Sequence, residues 1–213
     1  MGRFIWGVVS VFVCVIIAAP VTAQAPADTA ALHAKLVKTL GAAQGLSANF
    51  STMQGKQTLT GSIKVKRGNK FTLTLPGRKI TTNGVTVWNY TPATRSVVIG
   101  NYDGAQRQLN LESVFFTVLQ TYSPAGLTRK VVSDGGRYDV LKLLPANPEK
   151  RTDDIASVEI YLKPGSEIIR KIGVKMDGQT MMYTLNNLKF HVSVSDAEFE
   201  FTPPKGVEVV DMR

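Results

Sequence analysis

Few side chains in this 213-residue chain have the type and spacing that catalysis or metal binding requires. There are two histidines, His33 and His191, and one cysteine, Cys14. A sulfur-ligated zinc site or an internal disulfide needs at least two thiols, and two isolated imidazoles make no His-based site, so no metal is expected. No Gly-x-Ser-x-Gly, His-Glu-x-x-His or glycine-rich phosphate loop occurs, which removes the familiar nucleophile, zinc-protease and nucleotide chemistries. Asp134, Asp139, Asp153 and Asp154 are the carboxylates a paired acid–base mechanism would use, yet each lies near a turn and reads as a turn former or solvated cap. The chain is expected to be no enzyme and to carry no cofactor.

One cation has unusual placement. Ile63, Val65 and Arg67 fall on one face of an alternating segment whose other face is Ser62, Lys64 and Lys66. An unpaired guanidinium among apolar neighbours is strongly disfavoured. Either the alternation ends there and Arg67 turns to solvent, or its donors hold something that covers the apolar face, such as a helix end with spare carbonyls.

Two helical patterns and about a dozen strand patterns position these residues. Leu32, Leu36, Val37 and Leu40 form one stripe of 3.6-residue period, with Asp28 or Thr29 as N-cap and Gly41 as stop. Residues 24–29 read as a disordered lead-in. Leu111, Val114, Phe115, Val118, Leu119 and Tyr122 form a second stripe, capped by Asn110 and ended by Pro124. His33 should be exposed on the first helix. The rest alternates with period two, predicting strands at 46–53, 57–67, 70–75, 79–82, 85–90, 95–99, 127–132, 137–144, 155–163, 167–176, 180–190 and 197–201. Asn83-Gly84 has the chemistry of a type I′ hairpin turn, with positive φ at both residues. Short loops imply antiparallel neighbours, hence one strongly curled sheet of ten to twelve strands with two helices against it, in a single domain. Phe71, Leu73 and Leu75 oppose Lys70, Thr72 and Thr74; Val158, Ile160 and Leu162 oppose Ser157, Glu159 and Lys163. One face is therefore apolar and the other rich in lysine. Lys64, Lys66, Lys70, Lys163, Lys171 and Lys175 are then a solvated face or a docking surface for acidic partners. Trp88 and Tyr90 share a strand face, serving cross-strand packing or an opening. Met176, Met181 and Met182 fill core or line an adaptable cavity.

The formal charge is +9, from 25 Lys+Arg against 16 Asp+Glu. Met1-Gly2-Arg3, an apolar run from Phe4 to Ile17 and the small residues of Val21-Thr22-Ala23 read as a secretory signal peptide, residues 1–23, cleaved after Ala23. The run is shorter than the ~20 residues that span a bilayer. Cys14 lies inside it and is expected to leave with it, although a lipid-attached cysteine is the other reading. The expected domain is 24–213, and export makes nucleic acid an unfitting partner.

Several segments carry a family resemblance. Leu46-Ser47-Ala48-Asn49-Phe50, Gly61-Ser62-Ile63-Lys64-Val65-Lys66-Arg67, Asn69-Lys70-Phe71 and Asn83-Gly84 with Val87-Trp88-Asn89-Tyr90-Thr91-Pro92 resemble the amino-terminal half of the LolA-type outer-membrane lipoprotein carriers. The ending Phe199-Glu200-Phe201-Thr202-Pro203-Pro204-Lys205-Gly206-Val207-Glu208-Val209-Val210-Asp211 is similar to that family's carboxy-terminal signature. The middle, 95–179, matches in pattern more than in residues. The resemblance implies a mainly β (α+β) fold, an incomplete, unclosed antiparallel β-barrel of about ten to twelve strands with two or three helices covering the open concave face. It implies a periplasmic carrier of acylated lipoproteins, most simply a monomer. An inner-membrane lipoprotein-releasing ABC transporter would be the donor, and a LolB-like outer-membrane acceptor the recipient. In that family an arginine at the position of Arg67 ties the helical lid. Gly68 stands where the family usually has proline, which implies a looser turn.

Combining parity with the resemblance, the expected hydrophobic cavity and lid are Ile63, Val65, Arg67, Phe71, Leu73, Leu75, Trp88 and Met182 on strands, with Leu36, Leu40, Phe115 and Leu119 on helices. The helix residues would be displaced by cargo, exchanging apolar contacts for apolar contacts and keeping affinity moderate enough for handover. Two other functions fit such a fold, a regulatory module that senses lipoproteins or lipids and a carrier of another lipid or glycolipid.

Overall fold

The computed structural model describes residues 26–102, 114–147, 149, 155–176 and 178–213. Leu111, Asn110, Asp153, Asp154, Asp177 and the expected signal peptide lie outside the described residues.

Helix α1 is Pro26–Ala42. It starts before the expected caps Asp28 and Thr29, so Pro26 to Thr29 belong to the helix and not to a lead-in; proline suits a first turn, where its missing N–H would have no intrahelical partner. A π-helical turn, Val114–Val118, runs into a short α-helical turn, Leu119–Thr121, and the two together are called α2. α2 ends at Thr121, because Tyr122 and Pro124 already belong to a strand. That strand is at the sheet's edge, where a missing N–H does least harm.

Twelve strands make one sheet among the described residues. They are β1 Gly45–Gln54, β2 Gln57–Lys66, β3 Lys70–Leu75, β4 Arg78–Asn83, β5 Thr86–Thr91, β6 Ser96–Asn101, β7 Tyr122–Ser133, β8 Gly136–Pro145, β9 Ile155–Leu162, β10 Ile169–Met176, β11 Gln179–Phe190 and β12 Glu208–Asp211. Their spatial order is β12-β6-β5-β4-β3-β2-β1-β11-β10-β9-β8-β7. Two antiparallel meanders, β1 to β6 and β7 to β11, join where β1 pairs with β11. The sheet is an unclosed, curled antiparallel half-barrel with β7 and β12 as its two edges.

Three local expectations change. β12 runs parallel to β6, Glu208 opposite Ser96 and Asp211 opposite Ile99, the one parallel pair among the described strands. The segment expected as a strand at 197–201 is instead a 3-10 turn, Asp196–Phe199, followed by extended chain. At the β4–β5 turn only Gly84 has positive φ (93°); Asn83 instead accepts from the amides of Val85 (2.9 Å) and Thr86 (2.8 Å) through Oδ1, so the turn is built by a side chain rather than by two left-handed residues.

Register carries the apolar face across the sheet. Leu73 lies opposite Ile63, Ile63 opposite Ala48, and Val65 opposite Leu46 and Phe71. On the other half Tyr183 lies opposite Ile172, Ile172 opposite Ile160, Ile160 opposite Leu141 and Leu141 opposite Leu127. These side chains, with Leu36, Leu40, Phe115, Phe116, Val118 and Leu119 from the helices, form one continuous core. Gly61 leaves room for the Phe50 ring: a Cβ there would lie 2.7 Å from Phe50 Cζ and 2.8 Å from the Thr74 carbonyl. Phe50 in turn meets Tyr183 edge-on, centroids 6.1 Å apart. A second, smaller core of Trp88, Val97 and Ile99, with Tyr90, Phe201 and Val207 against it, forms separately.

Candidate functional site

The concave face of the sheet and the two helices laid over it form the site. Leu36 and Leu40 on α1, and Phe115 and Leu119 on α2, are all buried against it, as are Ile63 and Val65. Phe71, Leu73 and Leu75 on β3 pack against the same core but remain partly exposed. The apolar lining thus reaches from full burial under the helices to an accessible margin on β3. Tyr183 lies in this lining, where burial pushes its hydroxyl up to about 12, so the group stays neutral and adds no charge to the face.

Arg67 stands at the end of β2 and reaches the C-terminus of α1. Its Nε donates to the Ala43 carbonyl (3.1 Å), and Nη2 donates to the carbonyls of Leu40 (3.1 Å) and Gly41 (2.9 Å). Leu40 and Gly41 lie in the last turn of α1 and Ala43 just past it, with Leu40 also accepting from the Ala43 amide (3.2 Å), so the fork serves carbonyls that a helix end leaves short of partners and meets the negative end of the helix dipole. The guanidinium carbon lies 4.6 Å from the centroid of Phe116 on α2. One side chain therefore holds both helices, and the inward parity reflects a helix end with spare carbonyls rather than a turn to solvent. Gly68 follows with φ 90°, a conformation closed to proline, whose ring holds φ near −65°.

His33 is not exposed on α1 as its position in the stripe suggests; it is half-buried, with Nε2 3.0 Å from the Leu119 carbonyl, joining α1 to α2. Nothing in its local pattern signals this, because the partner is 86 residues away. Tyr122, at the start of β7, donates to the Ile155 carbonyl of β9 (2.9 Å) and anchors the chain leaving α2.

Two expected lining residues face the other way. Trp88 lies opposite Thr81 and Ile99, and Thr81 opposite Thr72, which is opposite Lys64, so Trp88 is on the convex face with the lysines. It belongs to the second core, covered by the chain that follows β11. Met182 is opposite Gly173, itself opposite Glu159, and its methyl group fills the space the glycine leaves, again on the convex face. Met176 and Met181 are the methionines that pack on the concave core.

The convex lysines are largely spoken for. Lys64 pairs with Glu198 (2.6 Å), while Lys66 and Lys70 pair with Asp196 (2.6 and 2.9 Å). Lys66 also donates to the Val194 carbonyl, and Thr72 to that of Glu198. These bonds strap residues 194–198 across β2 and β3, Asn83 of β4 donates to Glu200 (3.0 Å) and Tyr90 of β5 meets Phe201, with Phe199 fully buried beneath. Hydrogen bonds from Lys66 and Lys70 hold the Asp196 carboxyl down to about 2. Lys171, nearly buried, pairs with Asp134 (2.7 Å). Asp139 accepts from Arg129 (2.6 Å) and the Gly165 amide (2.9 Å); burial pushes its carboxyl up, but these donors hold it below the usual carboxylate range. Asp134 sits in the β7–β8 turn as its neighbours in sequence suggest, whereas Asp139 is neither a turn former nor solvated: it is buried within β8 and held by Arg129 and the Gly165 amide of the β9–β10 turn.

A helix-covered apolar trough on an unclosed sheet, latched by an arginine, is what the family comparison bears on. Residues 42–202 match the model of the family described as outer membrane lipoprotein carrier protein LolA. The chain belongs to the LolA family. It is 28% identical over 185 residues to the outer-membrane lipoprotein carrier protein of Haemophilus influenzae (strain ATCC 51907 / DSM 11121 / KW20 / Rd), covering 85% of this chain and 81% of that protein. Its identity to the protein of the same name in Pasteurella multocida (strain Pm70) is 26% over 188 residues, covering 84% and 86%. Among solved structures, an uncharacterized conserved protein from Thermus thermophilus shares the fold, with TM-score 0.51 at 14% identity, covering 85% of this chain and 97% of that one. A LolA-like carrier role follows from the family, which is one of lipoprotein carriers.

Proposed function

We propose that this chain is a periplasmic carrier that receives the acyl chains of lipoproteins against its concave face and moves them from the inner to the outer membrane. Residues 1–23 serve as its export signal and 24–213 as one carrier domain. The observation that supports this most is the Arg67 latch, which lets an apolar trough be covered by helices that are tied at one point and otherwise held by apolar contact. An acyl chain gains about 0.8 kcal/mol per methylene buried, so lipoprotein tails need a partner surface of their own size. Displacing Leu36, Leu40, Phe115 and Leu119 from Ile63, Val65, Phe71, Leu73 and Leu75 offers that surface, and the apolar burial that the helices give up offsets part of what the tails gain. The exchange keeps affinity moderate, which handover to an outer-membrane acceptor requires. A lipoprotein-releasing transporter of the inner membrane is the donor this scheme calls for. Mass spectrometry of the protein purified natively from its own periplasm tests the reading: acylated lipoprotein should co-purify, and free lipid or glycolipid in its place would refute it.

A further inference from the structure

At one end of the sheet the first residues of β8, the β9–β10 turn, the start of β10 and the middle of β11 enclose a groove of about 370 Å³. Arg137, Lys163 and Arg170 line it, together with Pro164, Thr184 and Asn186. All three cations are exposed, and no carboxylate among the described residues pairs with them. The nearby acids are engaged elsewhere: Asp139 with Arg129 and the Gly165 amide, Asp134 with Lys171, and Glu167 with Lys35. This differs sharply from β2 and β3, where Lys64, Lys66 and Lys70 are neutralised by Asp196 and Glu198. The groove is therefore where this basic protein keeps a cluster of uncompensated charge.

Its walls are also preorganised. The turn that carries Lys163 is closed by backbone bonds from the Lys163 amide to the Ile168 carbonyl (2.8 Å) and from the Ser166 amide to the Lys163 carbonyl (3.1 Å). The Gly165 amide is fixed to Asp139. Three cations held around a recess on a rigid frame match several carboxylates in a row, and the two guanidinium forks suit carboxylate geometry. Besides the cations the recess is lined by Thr184, Asn186, the half-buried Tyr138 ring, the buried Leu185 and the exposed Pro164; no large aliphatic side chain stands out of it to insert into a bilayer, and a flat headgroup surface does not enter a concavity.

We propose that this groove docks an acidic segment of a partner protein, with Arg137, Lys163 and Arg170 taking its carboxylates. The site shares only the buried Leu185 with the concave core, none of its three cations belongs to the trough lining, and the inference holds whatever the trough carries. Fluorescence anisotropy of labelled hexaglutamate on the full protein at low salt, with hexaglutamine as the neutral probe, tests it. Losing three partly exposed ion pairs in Arg137→Gln/Lys163→Gln/Arg170→Gln should weaken hexaglutamate binding about tenfold, whereas Lys56→Gln/Lys175→Gln/Lys205→Gln, with the same net charge, should change it by less than about twofold. Arg170→Gln alone should weaken binding measurably, which keeps the test open should the triple variant fail to fold. Equal losses in the two triple variants, or equal binding of hexaglutamine, would overturn the proposal. So would sedimentation with phosphatidylglycerol vesicles that the groove variant abolishes while hexaglutamate binding persists, an outcome that assigns the groove to a lipid surface.

Discussion

Replacing Arg67 with leucine keeps an aliphatic side chain at the end of β2 and removes every bond that ties the helices there. The carbonyls of Gly41 and Ala43 lose the guanidinium donor, that of Leu40 is left with only the Ala43 amide (3.2 Å), and Phe116 loses the cation over its ring. Arg67 is partly exposed, so each charge-assisted bond is discounted to about 1 kcal/mol and the ring contact to about 0.5 kcal/mol, giving roughly 3 kcal/mol or about a hundredfold in the ratio of closed to open lid. If the helices occupy the trough when it is empty, apparent ligand affinity is the intrinsic affinity multiplied by the open fraction. The variant should therefore bind a dipalmitoylated peptide up to about a hundredfold more tightly and give up correspondingly less of it to an acceptor at equilibrium. Fluorescence titration measures the first effect, equilibrium transfer to acceptor vesicles the second, and hydrogen exchange of α1 amides should rise in the unliganded protein. Arg67→Lys, which keeps the charge but not the fork, should fall between the two. Unchanged α1 exchange together with wild-type affinity would show that Arg67 does not hold the lid, and the reasoning would fail.

Trp88→Leu should lower stability by about 2 kcal/mol through loss of the convex-side core, while leaving dipalmitoyl-peptide affinity within about twofold of wild type; a selective loss of affinity in a stable variant would return Trp88 to the cavity. The Asp196 carboxyl, held at about 2 against an ordinary value near 4, stabilises the strap fully above about pH 4, and that contribution is lost as pH falls toward 2. With residues 1–23 removed Trp88 is the only tryptophan, so its emission at low salt should shift red across that window, and Asp196→Asn should flatten the transition. Gly84→Ala places a Cβ against the Gly68 carbonyl oxygen at a φ of 93°, and a loss of about 2 kcal/mol should lower the calorimetric melting temperature by about 5 °C; an unchanged melting temperature would mean that the β2–β3 and β4–β5 turns are not in contact.

What could be read in the chain was whatever is decided within one strand or one helix. Alternation assigns the sides of β2, β3 and β9 because successive side chains must point to opposite faces, and continuing it one residue past β2 puts Arg67 on the apolar side. Stripes at helical spacing mark Leu36, Leu40, Phe115 and Leu119 as buried for the same reason, a fixed local period. Period alone separates two faces without saying which is concave. In β5 the aromatic side, Trp88 and Tyr90, is the convex one, because the chain after β11 folds back and builds a second core there. Met182 lies outward because β10 puts Gly173 beside it, a consequence of register between strands. The pairs Lys64–Glu198 and Lys66–Asp196 span 134 and 130 residues, and the His33–Leu119 contact spans 86. Partners so far apart are set by which strands lie next to each other, which depends on the free energy of the whole curled sheet and leaves no local trace in the residues themselves.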